Sequence, residues 1–147
     1  MREIVEALKK RINENKNSML ITVVAGCGSI PRKAGAYMVV GEDGRVTGTI
    51  GGGNLEYQAT LMGQKLLAEK KNYLHEYNLG QEKSAELGMA CGGNATVLFY
   101  FVDAKEDAAW IRQMEEAEEK REAFWILMPL EEGKIKILPE FQTSAHQ

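Results

Sequence analysis

The sequence predicts an α/β fold: a single domain with a mixed β-sheet, two β-hairpins and flanking helices. Three observations carry that expectation. Short apolar, β-branched runs such as Met19–Val24 and Thr96–Val102 are interleaved with stretches of helical period, such as residues 3–13. Two pairs of strand-like runs are joined by short turns, Gly41-Glu42-Asp43-Gly44 and Glu131-Glu132-Gly133, so the sheet cannot be wholly parallel. The 147 residues, 44% hydrophobic and 27% charged, suit one domain able to bury a proper core.

Taken in order, residues 3–13 place Ile4, Val5, Leu8 and Ile12 on one stripe opposite Lys and Glu, an amphipathic helix. Met19–Val24 reads as a strand buried on both faces. Ala36–Val40 and Arg45–Ile50 read as the arms of a hairpin around Asp43-Gly44. A helix follows to about Glu69, with Leu55, Ala59, Met62 and Leu66 on its inner face. Tyr73–Leu79 reads as an edge strand, and Gln81–Gly93 has no clear period and reads as loop, in part helical. Thr96–Val102 is the strongest strand signal. Asp103 with Glu106 forms a capping-box pattern that opens a helix to about Lys120. Ala123–Leu130 and Lys134–Leu138 form the second hairpin, and Gln142–Gln147 reads as a tail.

Composition excludes several functions. A formal net charge of −3 and dispersed basic residues give no footprint for nucleic acid. No segment has the apolar length to cross a bilayer and the N-terminus lacks a signal-peptide core, so the expected location is the cytoplasm. In that reducing setting Cys27 and Cys91 read as free thiols. His75 and His146 stand alone and there is no CxxC or HExxH, so a metal site made only of side chains is not expected.

Three glycine-rich segments carry the chemistry. In Ile50-Gly51-Gly52-Gly53-Asn54-Leu55-Glu56 a strand end runs through three glycines into a helix start. That arrangement gathers unpaired amides and the positive end of the helix dipole, a phosphate cradle that needs no lysine. It matches neither GxGxxG nor GxxxxGK[ST]. The same residues also make sense as a tight turn capped by Asn54, and the Glu56 charge would compete with an anion for the amides. In Gly28-Ser29-Ile30-Pro31-Arg32-Lys33-Ala34-Gly35-Ala36, proline stiffens the turn that presents Arg32. A guanidinium held so can grip phosphate or carboxylate, or be a surface arginine. In Met89-Ala90-Cys91-Gly92-Gly93 a thiol sits among glycines whose amides would favour its thiolate; a small buried hydrophobe is the plainer reading.

Together, the order GSxPRxxGA, hairpin, GGGxLE, GMxCGG resembles the XdhC/CoxI family of molybdenum hydroxylase accessory proteins, over roughly residues 18–101. The resemblance implies an insertion chaperone rather than a turnover enzyme. Its implied ligand is molybdenum cofactor (molybdopterin), transiently bound, and its implied client is a xanthine dehydrogenase-type or carbon monoxide dehydrogenase-type apoenzyme. By position the motif residues are Gly28, Ser29, Pro31, Arg32, Gly35, Gly51, Gly52, Gly53, Glu56, Cys91, Gly92 and Gly93, with Asn54 at the same helix start. Cys91 is the implied thiolate for the thiophilic metal. Many relatives continue into a Rossmann-like domain, so the expectation is a single domain over 1–147 without that second part. Implied further partners are a separate Rossmann-domain chain or a cysteine desulfurase, and a homo-oligomeric state. Two rivals stand beside this reading: an enzyme with Cys91 as nucleophile, for which neither histidine lies near a motif, and an assembly or dimerisation module whose glycines only form turns.

Overall fold

The computed structural model describes residues 1–24, 36–78 and 94–140. It has the expected class: an antiparallel sheet of five strands, layered on both faces, with a second sheet of two strands. Helix α1 (Arg2–Asn13) leads into β1 (Ser18–Val24), then the hairpin of β2 (Tyr37–Gly41) and β3 (Gly44–Gly48). Helix α2 (Gly53–Glu69) returns the chain to β4 (Tyr73–Asn78), which precedes β5 (Asn94–Val102). Helix α3 (Ala108–Glu119) and the hairpin of β6 (Phe124–Leu127) and β7 (Lys136–Pro139) complete the described fold. The large sheet runs β3-β2-β1-β5-β4, and every pairing in it is antiparallel.

Central β1 is buried on both faces from Ser18 to Thr22, as the apolar run Met19–Ile21 requires. Side chains alternate across a strand, so Met19 and Ile21 join Met38, Val40, Val97 and Phe99 beneath α2, which adds Leu55, Ala59 and Leu66. Leu20, Val39, Tyr100 and Val102 face the other way and meet Ile4, Val5 and Leu8 of α1 and Trp110, Ile111 and Met114 of α3. Phe124, Ile126 and Ile137 of the small sheet pack against this second core, while Trp125 and Leu127 point outward and are exposed. Gly63 lets α2 lie close on the sheet: a Cβ there would come 2.9 Å from Ile21 Cδ1.

Strand β5 begins earlier than the sequence reading, at Asn94, and the arms of the second hairpin are shorter, Phe124–Leu127 and Lys136–Pro139; two further boundaries differ for a clear local reason. Strand β3 stops at Gly48 instead of reaching Ile50. Gly48 adopts φ +82°, and a Cβ on it would lie 2.1 Å from the Tyr37 carbonyl oxygen, so the chain must turn there. Helix α3 starts at Ala108, not just after Asp103. The Asp103 carboxylate accepts from the Lys105 and Glu106 amides (2.8 and 2.9 Å) and so caps a separate turn. The fully buried Asp107 then accepts from the Tyr100 hydroxyl and the Trp110 indole N–H, both at 2.6 Å, and from the Asp103 amide at 2.7 Å. Burial, reinforced by the Asp107 charge, holds the Tyr100 phenol well above its ordinary range.

Polar side chains fasten one end of the sheet. Arg11 donates to the Ser18 hydroxyl (3.1 Å) and to both Glu42 carboxylate oxygens (3.2 and 2.7 Å), tying α1 to β1 and to the β2–β3 turn. The Asn17 side chain accepts from the Ala104 amide (2.9 Å) and the Asn72 side chain from the Phe101 amide (2.7 Å). Gln64 of α2 donates to the Glu42 carbonyl at 3.1 Å.

Candidate functional site

The opposite end of the sheet is where the glycine-rich segments leave and return. Register fixes this. Thr22 pairs with Tyr37, Met38 with Gly48, Val24 with Thr96 and Asn78 with Asn94. Val24, Tyr37, Gly48, Asn78 and Asn94 therefore all sit at one end, and α2 starts there too. The segments 25–35 and 79–93 are attached at these points. Gly28, Ser29, Pro31, Arg32, Gly35, Cys91, Gly92 and Gly93, together with Cys27, lie outside the described residues. At the root of the first segment, the Thr22 hydroxyl donates to the Ala36 carbonyl at 2.8 Å and pins the returning chain to β1.

The middle motif is described in full. Gly51, Gly52 and Gly53 have φ of +127°, +74° and +61°, three successive left-handed conformations that side chains resist. A Cβ on Gly52 or Gly53 would meet nothing within 4 Å, so backbone faces open space on that side. No side chain caps the start of α2; Asn54 is exposed and does not play the capping part the sequence allows it. The first amides of a helix have no partner within it, so Gly53, Asn54 and Leu55 present theirs at this end.

Glu56 takes up a share of the positive potential. One carboxylate oxygen accepts from the Thr49 hydroxyl and from the Ile50 amide (3.2 Å). Arg45 lies 3.9 Å from the other oxygen and also donates to the Gly48 carbonyl at 2.8 Å. Partial burial pushes the Glu56 carboxyl up, but the bonds from Thr49, Ile50 and Gly52 and the Arg45 charge outweigh it, leaving the group below its ordinary value and ionised. The Gly51 amide donates to the Thr49 hydroxyl at 3.1 Å. Thr49 and Arg45 are thus members of the turn that the glycine pattern did not reveal. The local signal was there, since Thr49 follows Gly48, the residue that forces the bend, and Arg45 lies three residues before it.

The chemistry available is anion or polar-ligand binding by main-chain amides beside an ion pair. Among the described residues no group of three His, Cys, Asp or Glu could hold a metal. A groove of about 490 Å³ between α1 and α3 lies on the other face of the sheet, with Lys9 bonded to Glu115 across it. No helix among the described residues is long and apolar enough to cross a membrane.

Comparison with known proteins gives this geometry a context. The model of the XdhC and CoxI family matches residues 12–78. The molybdenum cofactor insertion chaperone PaoD of Escherichia coli (strain K12) is 31% identical over 100 residues, which is 68% of this chain and 30% of that protein. A crystal structure of a xanthine dehydrogenase from Bacillus halodurans is similar at a TM-score of 0.50 and 26% identity, covering 79% of this chain and 34% of that one. The chain thus spans about a third of the length of both proteins.

Proposed function

We propose that this chain, whose residues 12–78 belong to the XdhC and CoxI family, binds molybdenum cofactor and serves in its insertion into a molybdenum hydroxylase of the xanthine dehydrogenase or carbon monoxide dehydrogenase type. The observation that carries the proposal is the convergence of chain ends. Strand register brings the attachment points of all three glycine-rich segments to one end of the sheet, beside the uncapped start of α2. The similarity to an insertion chaperone supports the same reading.

In this reading the amides of Gly53 and Asn54, presented by the turn of Gly51 and Gly52, hold the phosphate end of the ligand with Arg32 and the turn of Gly28, Ser29, Pro31 and Gly35. The open space over Gly52 and Gly53 fits that role, because a side chain at either position would fill it. Cys91, flanked by Gly92 and Gly93, offers the thiolate that a thiophilic metal prefers. Glu56 and Arg45 set the local charge. When bound, the cofactor supplies redox chemistry to the client enzyme; this chain only holds and hands over. The client apoenzyme, a separate Rossmann-domain chain or a cysteine desulfurase, self-association and a cytoplasmic setting complete the proposal.

A second reading, an assembly module with no ligand of its own, is favoured by one observation. The Glu56 carboxylate already draws on the Ile50 and Gly52 amides. One experiment separates the two. The protein is melted with and without anaerobically prepared cofactor, and retained molybdenum and pterin are measured separately on wild type and Cys91→Ser. A ligand specific for the folded state adds RT ln(1 + [L]/Kd), about 2.7 kcal/mol at a hundredfold excess, so the melting point should rise clearly. Pterin should stay with both proteins, and molybdenum with wild type only. An unmoved melting point and no retained pterin would leave the assembly module as the function.

A further inference from the structure

Among the described residues, the Tyr77 hydroxyl is a buried side-chain oxygen with no hydrogen-bond partner. Such a group costs free energy in the unliganded protein, because water has been removed and nothing replaces it. Its place in the fold is specific. Tyr77 is the penultimate residue of β4, paired with Ala95 one step from the Asn78–Asn94 end. Its ring packs against the core beneath α2, the core that also holds Ile50 and Leu55. It therefore shares both the face and the end of the sheet with the start of α2. The ring of His75 meets it edge-on at 4.4 Å and braces it against the strand.

We infer that Tyr77 is a further ligand-binding residue of this site, donating its hydroxyl hydrogen bond to the bound cofactor. The inference rests on the cofactor reading above. Burial raises the Tyr77 phenol above its ordinary value, so the group is a protonated donor at neutral pH. Strand β4 is one edge of the sheet and β3, which feeds the glycine turn, is the other. Four interstrand spacings separate those edges, about 19 Å. Tyr77 accordingly meets a carbonyl or ring nitrogen at the pterin part of the ligand, not the phosphate held at the other side.

The test is Tyr77→Phe, with Tyr73→Phe as control, since Tyr73 is on the same strand but exposed. Two quantities should move in opposite directions. Without ligand, Tyr77→Phe should melt about 3 °C higher than wild type, because an unsatisfied buried hydroxyl is gone. With cofactor, it should bind about tenfold more weakly, the loss of one hydrogen bond. Tyr73→Phe should change neither. If wild type binds and Tyr77→Phe binds equally well, the inference fails and the cofactor reading stands. If the unliganded variant melts at or below wild type, the hydroxyl was satisfied and the inference also fails. If wild type itself binds no cofactor, the functional reading falls and takes this inference with it.

Discussion

Arg11 is a full charge on the apolar stripe of α1, one turn beyond Leu8, and only 8% of it is exposed. It is tolerated there because its fork is filled by the Ser18 hydroxyl and both oxygens of Glu42, the bidentate geometry that guanidinium favours. Gly41 makes the room: a Cβ there would stand 2.9 Å from the guanidinium. The Arg11 hydrogen bond lowers the Glu42 carboxyl from 4.5 to about 2. A carboxyl depressed in the folded state stabilises the fold above its unfolded pKa and loses that contribution as pH falls through the folded value. Stability should therefore decline between pH 4.5 and about 2, and Glu42→Gln should flatten that part of the profile in acid-dependent denaturation. The effect will be modest, since the Glu42 side chain is half exposed and water screens the pair. An unchanged acid profile in Glu42→Gln would mean the pair is not formed in solution. By composition Arg11 is one of several dispersed basic residues. Its spacing from Ile4 and Leu8 was the sign that it pointed inward.

Each helix and strand expected over the described residues is present, because the signals were long and local: β-branched runs, an Asp-Gly turn, an apolar helical stripe; the part-helical loop expected over Gln81–Gly93 lies outside the described residues. At the end of β3 and the start of α3, a single residue's geometry decided the boundary. The Asp103 pattern did cap backbone amides, but of a turn, and the helix waited for Asp107, whose carboxylate three other groups required. Nothing local announces that a second aspartate four residues on will be buried. Gly48 is the other case. It ends β3, turns the chain toward the glycine run, and leaves no space for a side chain. Gly48→Ala combines forbidden φ with a backbone clash, so it should cost more than about 2 kcal/mol in chemical denaturation and shift the Thr49 and Ile50 amide resonances. Gly44→Ala, where a Cβ would meet nothing, carries only the φ penalty and should cost less. Equal losses would place the constraint at Gly48 in its dihedral angle alone.

At the scale of the whole molecule, the motifs were legible and the end of the sheet to which they are attached was not. Glycine clusters and a Pro-Arg pair are local signs, whereas the gathering at one end of the strand ends to which they are attached follows from antiparallel order across five strands. Tyr77 was invisible for a related reason: period two tells which face a residue takes, not what lies over it. The sheet that results has two unlike ends. At one, Arg11, Asn17, Asn72 and Gln64 bind side chain to backbone or to one another's elements. At the other lie Gly48 and three consecutive left-handed glycines. Central β1 runs from the first end to the second, so a single strand samples both. Its amide hydrogens should report a gradient: Met19 and Leu20 exchanging only with global unfolding, Val23 and Val24 through smaller openings of lower free energy. Native-state hydrogen exchange would show this directly, and uniform protection along β1 would mean that both ends open together. Were exchange to follow that gradient, the strands would part at the glycine end without global unfolding, and the cofactor proposed to bind there would have a way out that leaves the rest of the fold intact.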